Sequence, residues 1–530
     1  MRLLKSRAAH SKLFAFGAAS ICLISVGAAT PGIAQEAGPE CIGDCFVLTG
    51  LNIQGVTAYP LAELAPLYQD DLARKVNVDD LVRIASAVTD KYRKDGYFLA
   101  RAVVAPHDGR SGAATLVVYE GYVDQLSAAG EGAEPVRSIL GSLVGERPLN
   151  IQAFDRQLAL ASDFPGITLK SRLEPVLDDP ARHRLVVETE LDRSFAAAYL
   201  ENRGSDAQGP WQAYLTAGLN SLVTAGDQLT FSTLATPETP DELTSAEWGY
   251  STSLGGGRRL RLAVSGYATD APPSSTNNWL SGRSSAFSAS VAQPLIRSRR
   301  QNLWLNAALD VRHVEQTYLS TGLNDEDLSV ARVSLWGQHR MDAGYVSGSL
   351  QVSQGLDAFG ATTRNAFTLT RNDADAIFTK LNLSLSGYHD LGRYVGVYGE
   401  VAGQWTEDPL LNSEEFFVGG ATFGRAYNYG EVSGDRGIAA MIEARLGWAP
   451  QKAHLDFVQF FAFYDAASVS NFNFAGGTRS DELSSAGAGV RVTFTGQTVV
   501  KLEFAKPLDW TPYTEADNGW RTFLSFSKQF

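Results

Sequence analysis

One stretch of this chain combines a cation with the backbone freedom needed to aim it. It reads Phe417-Val418-Gly419-Gly420-Ala421-Thr422-Phe423-Gly424-Arg425-Ala426-Tyr427, and Gly434-Asp435-Arg436-Gly437 follows. Glycines permit tight turns. Arg425 stands among apolar and small residues, where an unpaired guanidinium is costly, so a carboxylate partner is expected. Asp465 is the candidate, because it ends the aromatic run Phe460-Phe461-Ala462-Phe463-Tyr464-Asp465 as an inward-facing charge. Such a pair holds a loop; it performs no bond chemistry. No nucleophile elbow, phosphate loop or dinucleotide fingerprint accompanies it. His107, His183, His313, His339, His389 and His454 are scattered without metal spacing. Asn372, Asp373 and Asp375 could hold a cation in a surface loop, though a solvated turn is the simpler reading. No catalytic residue, metal site or cofactor is expected.

The elements around this stretch are strands. Leu303, Leu305, Ala307, Leu309 and Val311 share one parity while Asn306, Asp310 and Arg312 share the other. The same alternation sets Leu381, Leu383 and Leu385 against Asn382, Ser384 and Ser386, Ile442, Ala444 and Leu446 against Glu443 and Arg445, and Val500, Leu502 and Phe504 against Lys501 and Glu503. An apolar face toward lipid and a charged face toward water is what a transmembrane barrel requires. The barrel must close, because an open edge in hydrocarbon leaves backbone groups unpaired. Strands are expected near 194, 211, 227, 244, 258, 283, 301, 328, 344, 377, 392, 437, 456, 481, 497 and 520, sixteen in all. Residues 194–530 thus read as a barrel, with one long loop at about 406–436 between strands eleven and twelve. The final strand, with Leu524, Phe526 and terminal Phe530, resembles the assembly signal of outer-membrane proteins.

Ahead of the barrel the texture changes to mixed helix and strand. Phe46 to Gly55 is strand-like, and Asn77 can cap a helix with Leu81, Ile84, Ala85, Val88 and Tyr92 at helical spacing. Gly96 ends that helix; Phe98–Ala105 and Ala113–Val118 read as strands. The order strand, helix, helix, strand, strand recurs through Tyr122–Leu126, Pro135–Leu143, Ile151–Ser162, Ile167–Leu173 and Arg184–Leu191. Two small α+β modules, 46–121 and 122–193, are therefore expected.

Residues 1–34 read as a secretory signal. Arg2, Lys5, Arg7 and Lys12 precede an apolar stretch from Leu13 to Ala29, and Gly32-Ile33-Ala34 offers small residues for cleavage. Cys22 leaves with the signal. Cys41 and Cys45, in the short segment 35–45, form a possible disulfide after export. The net charge of -13 argues against nucleic acid as a partner.

Several motifs carry a family resemblance. Tyr92-Arg93-Lys94-Asp95-Gly96-Tyr97, Val118-Tyr119-Glu120-Gly121 and the looser Phe164-Pro165-Gly166-Ile167 resemble POTRA modules. With the sixteen-strand barrel and the loop at 406–436, the chain resembles two-partner secretion transporters, the TpsB or haemolysin secretion/activation family of ShlB/FhaC/HecB type. The resemblance implies a loop folded back into the lumen, with its tip arginine five residues after a Gly-Gly pair and locked to a barrel-wall aspartate. Gly419, Gly420, Arg425, Tyr427 and Asp465 fit that pattern; Gly424 and Ala426 depart from its Val-Arg-Gly-Tyr/Phe tip. Ala426 resists the positive φ that Gly accepts, so an altered tip backbone is expected. Only about eleven residues separate the proposed cleavage site from the first strand, too few for a long barrel-plugging helix.

The resemblance also implies a partner. This would be a large secreted adhesin, haemolysin or growth inhibitor, bound unfolded in the periplasm and driven outward by its own folding at the surface. Phe98, Ala100, Ala102 and Val104 are the candidate contact strand. Outer-membrane lipid would surround a single barrel. The alternatives are an assembly factor for other outer-membrane proteins and a passive solute channel.

Overall fold

A computed structural model of the chain describes residues 44–106, 111–205, 209–240, 242–271, 280–318, 321–362, 368–472, 478–513, 515 and 517–530. The signal stretch 1–34 and residues 35–43, with Cys41 among them, lie outside the described residues. Cys45 is disulfide-bonded.

In the first module, Asn77 caps helix α1 (Val78–Lys94) through a capping box, its side chain accepting from the Asp80 N–H at 3.0 Å while the Asp80 carboxylate accepts from the Asn77 N–H at 3.1 Å. Leu81, Ile84, Ala85, Val88 and Tyr92 of α1 are buried. The sheet of this module has the order Gly50–Gln54, Ala113–Tyr119, Arg101–Val104. Between its first strand and α1, residues 61–71 form three successive 3-10 turns; Pro66 falls inside them and has no N–H to continue a helical ladder. One expectation needs correction. The strand expected over Phe98–Ala105 contracts to Arg101–Val104, because the Ala100 N–H closes a turn onto the Tyr97 carbonyl at 3.0 Å.

The quoted motifs brace this module. Glu120 accepts hydrogen bonds from the Thr57 N–H (2.7 Å), the Ala58 N–H (2.8 Å), the Tyr92 hydroxyl (2.7 Å) and the Thr57 hydroxyl. Burial pushes the Glu120 carboxyl upward, but the hydroxyl and N–H donors of Thr57, Ala58 and Tyr92 outweigh it and hold the group below its ordinary range. Tyr59 donates to Asp95 at 2.7 Å, and the rings of Tyr59, Tyr92 and Tyr97 meet edge-on.

The second module packs α2 (Ala133–Leu140) and α3 (Ile151–Ala161) on a sheet ordered Tyr122–Gly130, Arg182–Leu191, Ile167–Pro175. Val136, Leu140, Leu149, Leu185 and Val187 fill its core. The modules are hydrogen-bonded to each other. Asn150, which caps α3, donates to the Asp95 carbonyl (3.2 Å), and the Ile151 N–H donates to the Gly96 carbonyl (2.8 Å). Gly96 has φ +94°, and a Cβ there would lie 3.0 Å from the Asn150 side chain, so this turn requires glycine.

Residues 194–529 close into a barrel of sixteen antiparallel strands, as the alternation predicts. Neighbouring residues show its two faces: Ile442 is 55% exposed on the lipid side while Glu443 is 0% exposed inside. The seam pairs the last strand (Arg521–Gln529) with the first (Ser194–Glu201), matching Ser525–Gln529 to Glu201–Ala197. Among the described residues no helix is long and apolar enough to cross a membrane, so the crossing belongs to the strands. Helix α3 docks on the barrel's periplasmic turns. Arg297 forks onto Asp163 (2.8 and 2.5 Å), Arg299 meets Asp155 at 2.9 Å, and Arg156 donates to the carbonyls of Leu295 and Pro294.

Candidate functional site

Strand eleven (Val395–Thr406) and strand twelve (Arg436–Trp448) are joined by a connection that turns back into the lumen. A short hairpin forms its stem, with Phe416–Val418 paired antiparallel to Val432–Gly434. Ion pairs fix its base. Arg332 and Lys380 reach Glu414 at 2.7 and 2.8 Å, and Arg371 reaches Glu415 at 2.9 Å and Asp435 at 2.8 Å. Asp373, weighed above as a cation ligand, is instead paired with Arg371 at 3.1 Å, and Asp375 accepts the Ile377 N–H.

At the tip Arg425 is only 1% exposed. Here the structure differs from expectation. The Arg425 guanidinium pairs with Glu443 of strand twelve at 2.8 Å and with Glu503 of strand fifteen (Thr498–Pro507). Asp465, on strand thirteen (Leu455–Phe472), is brought to the same place in another role. It accepts from the Gly424 N–H at 2.8 Å and the Arg425 N–H at 3.4 Å, and the Ser485 hydroxyl steadies it at 2.8 Å. The aspartate grips the backbone of the tip while two glutamates take its charge. The reason is reach: a long arginine side chain leaves its own backbone, so the group beside its N–H is not the group that meets its guanidinium.

These glutamates are shared. Arg203 and Lys501 also converge on Glu503, and Arg445 and Arg491 on Glu443. A buried carboxylate surrounded by several cations is held far more firmly than an exposed pair. Arg425 lies 3.6 Å over the Phe463 ring, which adds a cation–π contact. The Phe461 and Phe463 rings in turn cover Gly489 and Gly487 of strand fourteen (Thr478–Phe494), where any Cβ would collide with them. The aromatic run is thus a floor for the arginine.

The tip is bolted to both sides of the seam. Arg203, just past strand one, donates to the Arg425 carbonyl at 2.8 Å, and Tyr429 donates to Glu201 at 2.6 Å. Arg521 of strand sixteen donates to the Ala426 carbonyl at 2.8 Å. Tyr427 is buried against Trp510. The departures from the usual tip are accommodated: Gly424 takes the left-handed conformation (φ +68°), whereas Ala426 does not.

Glu443 and Glu503 were legible only as inward parity; nothing local marked them as partners of Arg425. Arg203 had no sequence signal at all. The expected contact strand fares differently. Ala100 and Ala102 are buried beneath α1, and Val104 packs against the same core. Phe98 packs at a tilt against Phe154 of the second module, ring centroids 5.5 Å apart. The Ala102 N–H on the open edge is taken by the Thr89 hydroxyl at 3.0 Å. These four side chains serve internal packing. His313, scattered in sequence, lies 3.0 Å from Asp327 and 3.6 Å from Asp325 on the neighbouring strand, a half-exposed group satisfied by its own pairing.

Residues 185–492 match the haemolysin secretion/activation protein ShlB/FhaC/HecB family, and residues 46–121 match the ShlB-type POTRA domain. The chain is 22% identical over 466 residues to the heme/hemopexin transporter protein HuxB of Haemophilus influenzae, covering 84% of this chain and 80% of that protein. It is 22% identical over 503 residues to the outer membrane transporter CdiB of Dickeya dadantii, covering 91% and 87%. The solved structure of CdiB from Escherichia coli superposes with a TM-score of 0.74 at 19% identity, covering 94% of this chain and 93% of that one. With sixteen strands, a loop folded into the lumen and POTRA-type architecture ahead of them, the chain belongs to the ShlB/FhaC/HecB family, outer-membrane transporters of two-partner secretion whose POTRA domains lie in the periplasm.

Proposed function

We propose that this transporter serves a large secreted partner of adhesin, haemolysin or growth-inhibitor type, and that the loop 407–435 sets whether its lumen conducts. The observation that carries this reading is the buried lattice of Arg425, Glu443, Glu503 and Arg203, with Asp465 gripping the tip backbone. Such a lattice has two well-defined states, engaged or broken, because half-broken it leaves a buried charge unpaired. Glu443, Glu503 and Asp465 therefore act together as the receptor for the tip. The partner meets the periplasmic modules first. Of their sheet edges, Ile167–Pro175 is better suited than Arg101–Val104, because its middle residues are exposed, whereas on the edge of Arg101–Val104 the Ala102 N–H is already taken by Thr89. A single barrel in lipid suffices for this work, and no step calls on a cofactor, on nucleic acid or on catalysis.

The test compares the secreted proteins and the outer-membrane proteins of cells with and without this chain. Loss of one or two large secreted proteins with other barrels intact is expected. A broad fall in many barrels would instead mark an assembly factor, and no change in either would leave a solute channel.

A further inference from the structure

The first periplasmic turn of the barrel is built unlike a solvated turn. It joins strand two (Gln212–Asn220) to strand three (Gln228–Ala235) and leaves Leu222 53% and Val223 73% exposed. Its backbone donors, in contrast, are already taken. The N–H groups of Leu222, Val223 and Thr224 donate to the Asp227 carboxylate at 2.7, 3.0 and 2.7 Å, and the Gly226 N–H donates to the Ser221 hydroxyl at 3.0 Å. Asp227 is completely buried and also accepts from the Tyr250 hydroxyl at 2.8 Å. Tyr250 lies on strand four (Thr244–Gly255) opposite Leu229 and Leu262, so it shares the lipid-facing parity of Trp248. Thr252, two residues further on that face, meets the Thr224 hydroxyl at 3.3 Å. The turn thus leans onto the outer face of the wall, where Leu219 and Trp248 are exposed toward lipid.

We propose that this turn dips into the periplasmic leaflet of the outer membrane, with Leu222 and Val223 in contact with phospholipid, and holds the second module at that surface. Lipid accepts a turn only where its backbone polar groups are bonded internally. Asp227 meets that condition for three consecutive N–H groups, and its ring of donors keeps the carboxylate itself from facing lipid unpaired. A tyrosine with its ring among lipid-facing residues and its hydroxyl on a polar partner is the arrangement favoured at the headgroup boundary. The third periplasmic turn, Ser298-Arg299-Arg300, shows the opposite design: Arg300 is exposed and pairs with an exposed Asp342. A polypeptide partner would also cover apolar side chains, but the lean toward the outer face and the continuity with Leu219 favour lipid. On its other side the turn carries the second module. Asn220 donates to the Asp192 carbonyl at 2.7 Å, and Gly226 lies against the Phe164 ring so closely that a Cβ there would collide with it. The inference is independent of what the barrel transports.

The test attaches an environment-sensitive fluorophore to Val223→Cys in the full-length chain, with Arg300→Cys as the polar-turn comparison and the unsubstituted chain as background. The proteins are placed in vesicles of phosphatidylethanolamine and phosphatidylglycerol. Quenchers carried on the lipid near the headgroups should lower the emission from position 223 by about twofold or more, because an interfacial contact lies within their depth. Iodide in the water should leave it unchanged, and position 300 should behave the opposite way. Leu222→Asp beside the label should at least halve the lipid quenching in barrels that still insert. Quenching by iodide at position 223 would show a solvated turn, and quenching by neither agent would show a protein surface covering it. Lipid quenching untouched by Leu222→Asp would show the fluorophore, not the turn, seeking the bilayer. Each of these three results would overturn the lipid contact and leave the transport reading as it stands.

Discussion

Beneath the tip of the folded-in loop Glu443, Glu503 and Asp465 are completely buried; on strand nine (Gly344–Gly355) and strand ten (Thr379–Asp390), Ser349 and Ser384 are half-buried with their hydroxyls paired at 2.8 Å. Both sides obey the same alternation of lipid-facing and inward-facing residues, so alternation says nothing of which side is filled. What separates them is the cost of vacancy. A buried carboxylate stripped of its cation is strongly destabilised, so the charged side has to stay occupied or change state as a unit. The serine side loses nothing when empty, because its polar groups are neutral and already bonded.

The comparison can be broken most forcefully at Glu503. Glu503→Ala leaves Arg425, Arg203 and Lys501 sharing a buried site without their carboxylate, a loss of about 3–5 kcal/mol. Purified protein should unfold at lower temperature, residues near the loop tip should become open to added protease, and secretion should fail. A variant that keeps the loop protected would show that the lattice does not hold it. Asp465→Asn should cost less, about 1–3 kcal/mol, because it weakens hydrogen bonds to the tip backbone and leaves the guanidinium paired; its signature is faster hydrogen exchange at Gly424 and Arg425.

A carboxylate held by neutral donors sharpens the contrast. Glu120 lies in the periplasmic module, and its folded pKa is lowered by Thr57, Ala58 and Tyr92. Its stabilisation is therefore present above the unfolded carboxylate value, roughly 4.3, and is lost as pH falls through the lower folded value. Exchange protection across residues 46–121, corrected for intrinsic rates, should fall between about pH 5 and pH 3 in the native chain. Glu120→Gln should be less protected at neutral pH and flatter across that window. The smallest effect belongs to the open wall: Ser349→Thr should change stability by no more than about 0.5 kcal/mol, measured by thermal unfolding. A loss as large as that of Asp465→Asn would mean the serine side is packed rather than open.

Much of this was legible in the residue order. The period-two runs marked sixteen strands and closure, since hydrocarbon tolerates neither an unpaired edge nor an outward charge. Asn77, Gly96 and the spacing of Leu81, Ile84 and Val88 marked α1, because caps and helical faces are local matters. The glycines and Arg425 marked the loop; Asp465 was expected to pair with the Arg425 guanidinium, whereas it accepts from the tip backbone. Three things were decided only in three dimensions. Arg425 meets Glu443 and Glu503, 18 and 78 residues away, because barrel closure sets strands twelve and fifteen around the tip. Phe98, Ala100 and Ala102 look like a free binding strand in sequence, yet α1 and the second module cover them. Serines that read as mere polar alternation become hydroxyl pairs, Ser347 with Ser386 and Ser349 with Ser384, only once the register of strands nine and ten is set. Local patterning determines what an element is and which of its faces is polar; which polar faces meet, and which are left facing space, depends on long-range register and closure, which no short window of residues contains.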